Sequence, residues 1–285
     1  MKLENFVDRT GEMRRFDEML AHNAPSVMVV WGDSGMGKTS LLAKMVHRVS
    51  AQGLKKIEIV WTDTRNYDFL GIMRKCRDDL GAAHFEAFTR ETNRATPTVE
   101  FQVKVDGDLQ LFNRASITHS QIGDVTGIAI RDNMFNLPAE SESRVSERMM
   151  LLTDAFFSDL AAYLATASKP VVLFLDAVEK MSAESRKWLW GELLAAIRDE
   201  RLLGLVVVTC GRDKPERSRD FNDTVDEAEL GPLGIDDVCE YLEARGITAN
   251  TRELAAMLIA ARGSKPVDVA TAVDAYLRSR PQAPS

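Results

Sequence analysis

"SVMVVWGDSGMGKTSLLAKM", residues 26–45, is the stretch on which the fold turns. Its first six residues, 26–31, form a nearly continuous apolar run, the pattern of a strand buried on both faces of a parallel sheet. The run breaks into glycines. A helical pattern then follows over 37–50, with Leu41, Leu42, Met45, Val46 and Val49 on one stripe. Between strand and helix, Gly32, Gly37, Lys38 and Thr39 satisfy the spacing G-x-x-x-x-G-K-[ST]. Each residue type has a physical reason to be there. Glycines let the backbone of Gly32, Asp33, Ser34, Gly35, Met36 and Gly37 curl so that successive N–H groups face phosphate oxygens. The start of the helix, through Ser40, adds its positive end. The Lys38 ammonium reaches β- and γ-phosphates, and the Thr39 hydroxyl is the expected Mg²⁺ ligand. A strand before this pattern and a helix after it is the context that separates a phosphate loop from an ordinary glycine-rich turn.

Working outward, 285 residues allow one large or two small domains, and 45% hydrophobic residues allow a sizeable core. The net charge of −7 argues against a broad electrostatic grip on nucleic acid, which needs a basic face. Cys76, Cys210 and Cys239 lie far apart with no C-x-x-C spacing and read as reduced thiols of a cytosolic protein. The opening "MKLENFVDRTGEM" has no apolar signal segment, and no apolar run approaches membrane-spanning length. A cytoplasmic protein without a membrane partner is the expectation.

Strand and helix patterns alternate on either side of an irregular middle. "KKIEIVW" (55–61) reads as a second strand and 66–80 as a helix ending at Gly81. Residues 141–168 read as a long helix, and "PVVLFLD" (170–176) as a third strand. A helix over 183–200 carries Trp188, Leu189, Leu193, Leu194 and Ile197; "LGLVVVTC" (203–210) is a fourth strand, and 224–233 holds a short fifth. Beyond 235 the pattern is helical only, with Asn250 and Glu253 in capping-box register and Pro266 in a first turn. In the middle, Val99, Phe101, Val103 and Val105 alternate with polar residues. Asp106-Gly107 offers a turn, and Leu109 and Leu111 continue the alternation, so a hairpin with one apolar face is expected. The sequence over 117–133 is a short β element or a loop, and 92–138 reads as an insertion whose apolar face docks a protein partner or a second copy, or packs back on the chain. The fold class that follows is a three-layer α/β protein around a mainly parallel five-stranded sheet. It comprises a phosphate-loop domain over 1–232, the β-rich insertion, and a helical lid over 233–285.

Two more strand ends carry chemistry. Asp176 closes a buried apolar strand, where a carboxylate is costly unless a cation offsets it; Mg²⁺ reached through water would do so, and a helix cap is the alternative. Arg212 stands just past the fourth strand, on the side of an open parallel sheet where ligands bind, placed to feel a γ-phosphate. Asp63 also follows a strand end, as a possible water-positioning group.

With these elements in view, the chain resembles the signal-transduction ATPases with numerous domains (STAND), relatives of NACHT and apoptotic ATPases within the additional-strand P-loop group. "FVDRTGEMRRFDEML" is similar to the family's N-terminal motif that flanks adenine, which brings in Val7 and Arg9, with Asp8 where a glycine and Thr10 where a glutamate is usual. "LFLDAVEKM" through "LGLVVVTCGRD" resembles the Walker B to sensor span. "LGPLGIDDVCEYLEARG" and "ARGSKPVDVA" resemble the helical lid, in which a proline meets the base; Pro232 and Pro266 are the candidates, the usual Gly-x-Pro being stretched to Gly263-Ser-Lys-Pro266. The resemblance covers about 1–80 and 140–280. It implies ATP or ADP with Mg²⁺ as ligands, Lys38, Asp176, Glu179 and Arg212 as the working groups, and Thr39 and Asp176 at the metal. Ala177 stands where many such ATPases have a glutamate, so Glu179 becomes the candidate base, and slow hydrolysis suits a switch. Two other readings are an AAA-like DNA-handling ATPase of the origin-recognition or transposition-helper kind, which the acidic balance opposes, and a non-hydrolysing nucleotide-binding scaffold.

Overall fold

The computed structural model describes residues 9–22, 26–62, 67–95, 102–105, 108–111, 142–214 and 219–279. Val7, Asp63 and the stretch 117–133 lie outside the described residues. The elements, in order, are α1 (Thr10–His22), β1 (Val27–Trp31), α2 (Lys38–Ala51), β2 (Lys55–Val60), α3 (Phe69–Leu80), α4 (Glu86–Ala95), β3 (Gln102–Val105), β4 (Asp108–Leu111), α5 (Glu142–Thr166), β5 (Val171–Asp176), α6 (Ala183–Lys187), α7 (Leu194–Arg198), β6 (Leu205–Gly211), β7 (Val225–Glu229), α8 (Ile235–Ala244), α9 (Thr251–Arg262) and α10 (Pro266–Ser279). The chain divides into two compact units, residues 1–81 with 161–285, and residues 82–160.

In the first unit five strands form one sheet in the order β2-β5-β6-β1-β7, and every neighbouring pair is parallel. β6 therefore separates β1 from β5, the mark of the additional-strand P-loop architecture. Position in the sheet explains the sequence patterns. β5 and β6 are buried at every residue and read as unbroken apolar runs, whereas the edge strand β2 buries only Ile57 and Ile59. One core joins Phe16 and Met19 of α1 with Leu41, Met45 and Val49 of α2 over Met28, Val30, Phe174, Val206 and Val208. Phe16 and Phe174 bring their ring centroids to 6.2 Å.

Two local features differ from the sequence expectation. The helix expected over 183–200 is broken by a π turn at Trp188–Leu193 between α6 and α7. Its cause is a five-residue step: Trp188 and Leu189 must share a buried face with Leu193 and Leu194, which an unbroken α-helix cannot align. The capping box at Asn250 does not form. Asn250 is left-handed, at φ 54°, and its side chain makes no cap bond to α9. Instead the Gly234 N–H donates to the Asp237 carboxylate at 2.6 Å, ahead of α8. The three C-terminal helices have their own small core of Val238, Tyr241, Leu242, Ile247, Ala255, Val269 and Val273.

The second unit extends beyond 92–138 on both sides. Phe85 and Phe88 meet Phe156, which also touches Phe157. The Phe88 N–H donates to the Asp159 carboxylate at 2.8 Å. The expected hairpin is present, but its register overturns the single apolar face. Val103 is opposite Gln110 and Val105 opposite Asp108, while Leu109 is opposite Lys104 and Leu111 opposite Gln102. Directly opposite residues share a face, so the valines and the leucines fall on different faces of the ribbon. The strands are joined by two residues, 106 and 107, which lie outside the described residues, as do Val99 and Phe101.

Candidate functional site

The phosphate loop leaves β1 at Gly32 and enters α2 at Lys38. Gly32 is wedged between two strand ends: its N–H donates to the Arg212 carbonyl at 3.3 Å, and a Cβ on it would lie 2.6 Å from the Leu230 carbonyl oxygen. Gly35 is left-handed, at φ 86°, and a Cβ there would meet Val267 Cγ1 at 2.6 Å. The Gly35 carbonyl accepts from the Val267 N–H, at 3.3 Å, so the first turn of α10 sits on the loop. The Lys38 ammonium donates to the Gly32 and Asp33 carbonyls at 2.6 and 2.7 Å, which curls the loop around its own lysine.

Asp176, at the end of β5, faces the start of α2. The Thr39 hydroxyl donates to its Oδ2 at 3.1 Å, and the Ala177 N–H donates to its Oδ1 at 2.9 Å. The residue is 7% exposed. Burial pushes its carboxyl above the usual range, against the pull of those two hydrogen bonds; the nearby Glu179 adds to the rise and Lys38 opposes it. Directly opposite it in β6 is Cys210, whose thiol burial drives far upward, so that sulfur stays neutral. Ala177 is left-handed, at φ 60° and ψ 43°, which costs about 1–2 kcal/mol for a residue with a Cβ. That bend aims the 3₁₀ turn Val178–Lys180 and carries Glu179 to the cleft. Glu179 Oε1 pairs with Arg212 Nε at 3.3 Å.

A cleft of about 450 Å³ joins these groups to the C-terminal helices. It is lined by Arg9, Ser34, Gly35, Met36, Gly37, Lys38, Thr39, Ser40, Asp176, Ala177, Glu179 and Cys210 on the sheet side. On the helical side it is lined by Leu233, Tyr241, Pro266, Val267, Val269 and Ala270. Of the residues expected from sequence, Arg9, residues 34–40, Asp176, Glu179 and Pro266 share this cleft. Arg9, left-handed at φ 66°, donates from Nη2 to the Gly231 carbonyl at 2.5 Å. Four of the expected residues are not in the lining. Gly32 is buried beneath the loop, and Asp33 is exposed. Arg212 reaches the cleft only through Glu179. Pro232 is exposed, and its neighbour Leu233 takes the lining position. Leu233, Tyr241, Val267, Val269, Ala270 and Cys210 were not legible as site residues. Tyr241, Val269, Ala270 and Leu233 belong to the apolar set that builds the helices' own core, Val267 is an exposed residue beside it, and Cys210 follows only from its register with Asp176.

Among the described residues, no group of three or more His, Cys, Asp or Glu side chains could hold a metal by itself. The hydroxyl and carboxylate of Thr39 and Asp176 are hard oxygen donors and fit an ion such as Mg²⁺ that takes its other ligands from phosphate and water. No described helix is long and apolar enough to cross a membrane.

A family model described as AAA ATPase domain matches residues 5–208. The chain belongs to this family. No curated protein matches the sequence of this AAA ATPase at a significant level. Among solved structures it is similar to Cdc6p from Pyrobaculum aerophilum, at 13% identity and a TM-score of 0.47, covering 96% of this chain and 64% of that one. It is similar also to a STAND protein with a tetratricopeptide repeat sensor from Pyrococcus horikoshii, at 15% identity and a TM-score of 0.46, covering 92% and 28%. A third is the replication initiator DnaA bound to AMPPCP and single-stranded DNA, at 13% identity and a TM-score of 0.49, covering 98% and 65%. The AAA ATPase thus spans less than two thirds of the length of each of these chains.

Proposed function

We propose that this chain is a nucleotide-controlled conformational switch of the STAND kind, which binds ATP and ADP in the cleft and hydrolyses ATP slowly. The observation that carries the reading is the hydrogen bond from the Val267 N–H to the Gly35 carbonyl. A helix N-terminus with one of its free donors satisfied by the phosphate loop makes the position of the helices sensitive to what the loop holds. The phosphate loop over Gly32–Ser40 takes the phosphates, with Lys38 turning from its own carbonyls to the ligand. Arg9 and the helical wall, with Pro266, take the base and ribose, and residues 233–285 act as the lid. Thr39, backed by Asp176, would hold Mg²⁺, which supplies charge neutralisation at the β- and γ-oxygens when bound. Glu179 lines the same cleft and accepts a proton from the attacking water.

The test has two parts. Nucleotide released from the purified protein is identified by chromatography, and amide exchange over residues 233–279 is compared with ADP and with a non-hydrolysable ATP analogue bound. Retained ADP and a nucleotide-dependent difference in lid exchange support the switch. Identical exchange in both states rules it out, and salt-dependent binding to duplex DNA would put a DNA-handling ATPase in its place.

A further inference from the structure

Tyr241, on α8, lines the cleft and is 4% exposed. A phenol buried to that degree needs a partner for its hydroxyl. The partner is Arg245, one turn further on. Its Nη1 donates to the hydroxyl at 3.0 Å, and its guanidinium carbon lies 5.8 Å from the centre of the ring. Arg245 is itself held at both ends. Its backbone N–H donates to the Tyr241 carbonyl at 3.2 Å as α8 ends, and Gly246, left-handed at φ 75°, turns the chain just after it. Its Nη2 donates to the Asp274 carboxylate on α10 at 2.6 Å. Asp274 continues the stripe of α10 that starts with Val267 and Ala270, both in the cleft lining. The Asp274 side chain is 48% exposed, and an ion pair open to water on one side adds little to stability. What a guanidinium supplies is direction, since its planar fork holds two acceptors at fixed angles. Here one acceptor is the phenol and the other is a carboxylate from a different helix.

Resting on the reading of the cleft as a nucleotide site, we infer that Arg245 and Asp274 are positioning residues that act through Tyr241. Asp274 fixes the guanidinium, the guanidinium fixes the phenol, and the ring is held at one angle in the wall that meets the nucleoside. Neither charged group lines the cleft, so neither touches the ligand. The bracket also ties the ring to α10, the helix whose Val267 N–H meets the Gly35 carbonyl. The wall and the contact on the phosphate loop are thereby fastened to one helix. Without the bracket the ring is free to turn, and ordering it again on binding costs affinity for the nucleoside but not for the phosphates.

The test is a double-mutant cycle with Tyr241→Phe, Asp274→Asn and the double variant. Calorimetry measures the affinities for ADP, a non-hydrolysable ATP analogue and inorganic tripolyphosphate, and thermal melting without ligand checks that each variant is folded. Both substitutions are small, and that at Asp274 is at a half-exposed position. Each single variant is expected to bind both nucleotides about three- to tenfold more weakly, the cost of immobilising one side chain. Tripolyphosphate, which has no nucleoside, should bind within about twofold of the parent. The double variant should be no weaker than the weaker of the two singles, because the carboxylate acts only through the phenol. If the two effects add, or if tripolyphosphate weakens by the same factor, the bracket is structural support alone and the inference falls while the nucleotide reading stands. It falls in the same way if both single variants bind nucleotides like the parent. If the parent binds neither nucleotide, the nucleotide reading falls and takes the inference with it.

Discussion

The two walls of the cleft are made of different chemistry. The sheet side presents Lys38, Thr39, Asp176 and Glu179, each held by hydrogen bonds or an ion pair to backbone or to another polar group at a strand end. The helical side presents Leu233, Tyr241, Pro266, Val267, Val269 and Ala270, with no charged side chain among them. Polar groups fixed before the ligand arrives can distinguish one phosphate state from another, while an apolar wall binds a base equally well whatever lies beyond the ribose. On the proposed reading, discrimination between ATP and ADP would belong to the strand ends, with the helices following through the backbone bond from Val267 to Gly35.

That division can be broken or sharpened by substitution. The largest effect is expected from Asp176→Asn, which should lower Mg²⁺-dependent turnover by about a hundredfold or more while ADP affinity changes little. The same variant should be more stable without nucleotide. Burial raises the folded-state pKa of Asp176, so its charge opposes folding at neutral pH, and that penalty disappears as the pH falls through the raised value toward the ordinary 3.8. Thermal melting should show the amide variant above the parent at pH 7, with the gap closing on acidification. Next, Lys38→Ala should weaken ATP and ADP by about 10- to 100-fold in calorimetry, the size of a lost charge-assisted hydrogen bond. Unchanged affinity would take the phosphates away from this loop.

Gly35→Ala sits between the walls. Its φ of 86° strains any residue with a Cβ, and the added methyl would press on Val267. Both nucleotides should weaken about tenfold, in line with the roughly 1–2 kcal/mol of that strain. Val267→Ala in the same chain should recover only the part due to the clash. Smallest is Pro266→Ala on the helical side, expected to lower both affinities by about two- to threefold and to leave their ratio unchanged, since it removes only apolar contact. A changed ratio would show that the helical wall reads the phosphates too.

The central strands were legible because burial on both faces writes an unbroken apolar run, and the phosphate loop because its glycines and lysine answer to backbone geometry. The sheet order then follows from the additional-strand architecture that the sequence resembles. What stayed hidden depended on neighbours far along the chain. Tyr241 and Val269 carry one stripe for two duties, packing the helices together and lining the cleft, and periodicity reports only the first. The hairpin's alternation was visible, but the face each residue takes depends on pairing register, which placed Val103 and Leu109 apart. Asn250 has the composition of a cap and a left-handed backbone that disables it. The π turn did leave a trace in the five-residue step from Trp188 to Leu193, which an α-helical reading absorbs as noise.

The placement of β1 has a consequence for how the molecule comes into being. β1 leads into the phosphate loop, yet both of its strand neighbours follow it far along the chain: Val27 is opposite Val207 in β6 and Val225 in β7. Until some two hundred residues have followed it, the strand that launches the loop has no partner for its backbone, and closing so long a loop must precede any reward from the pairing. During synthesis the apolar run of β1 is an open edge awaiting β6 and β7, the kind of segment that other chains or chaperones meet first. A complete phosphate loop therefore waits on β6 and β7, and arrives all at once with the closing of the sheet.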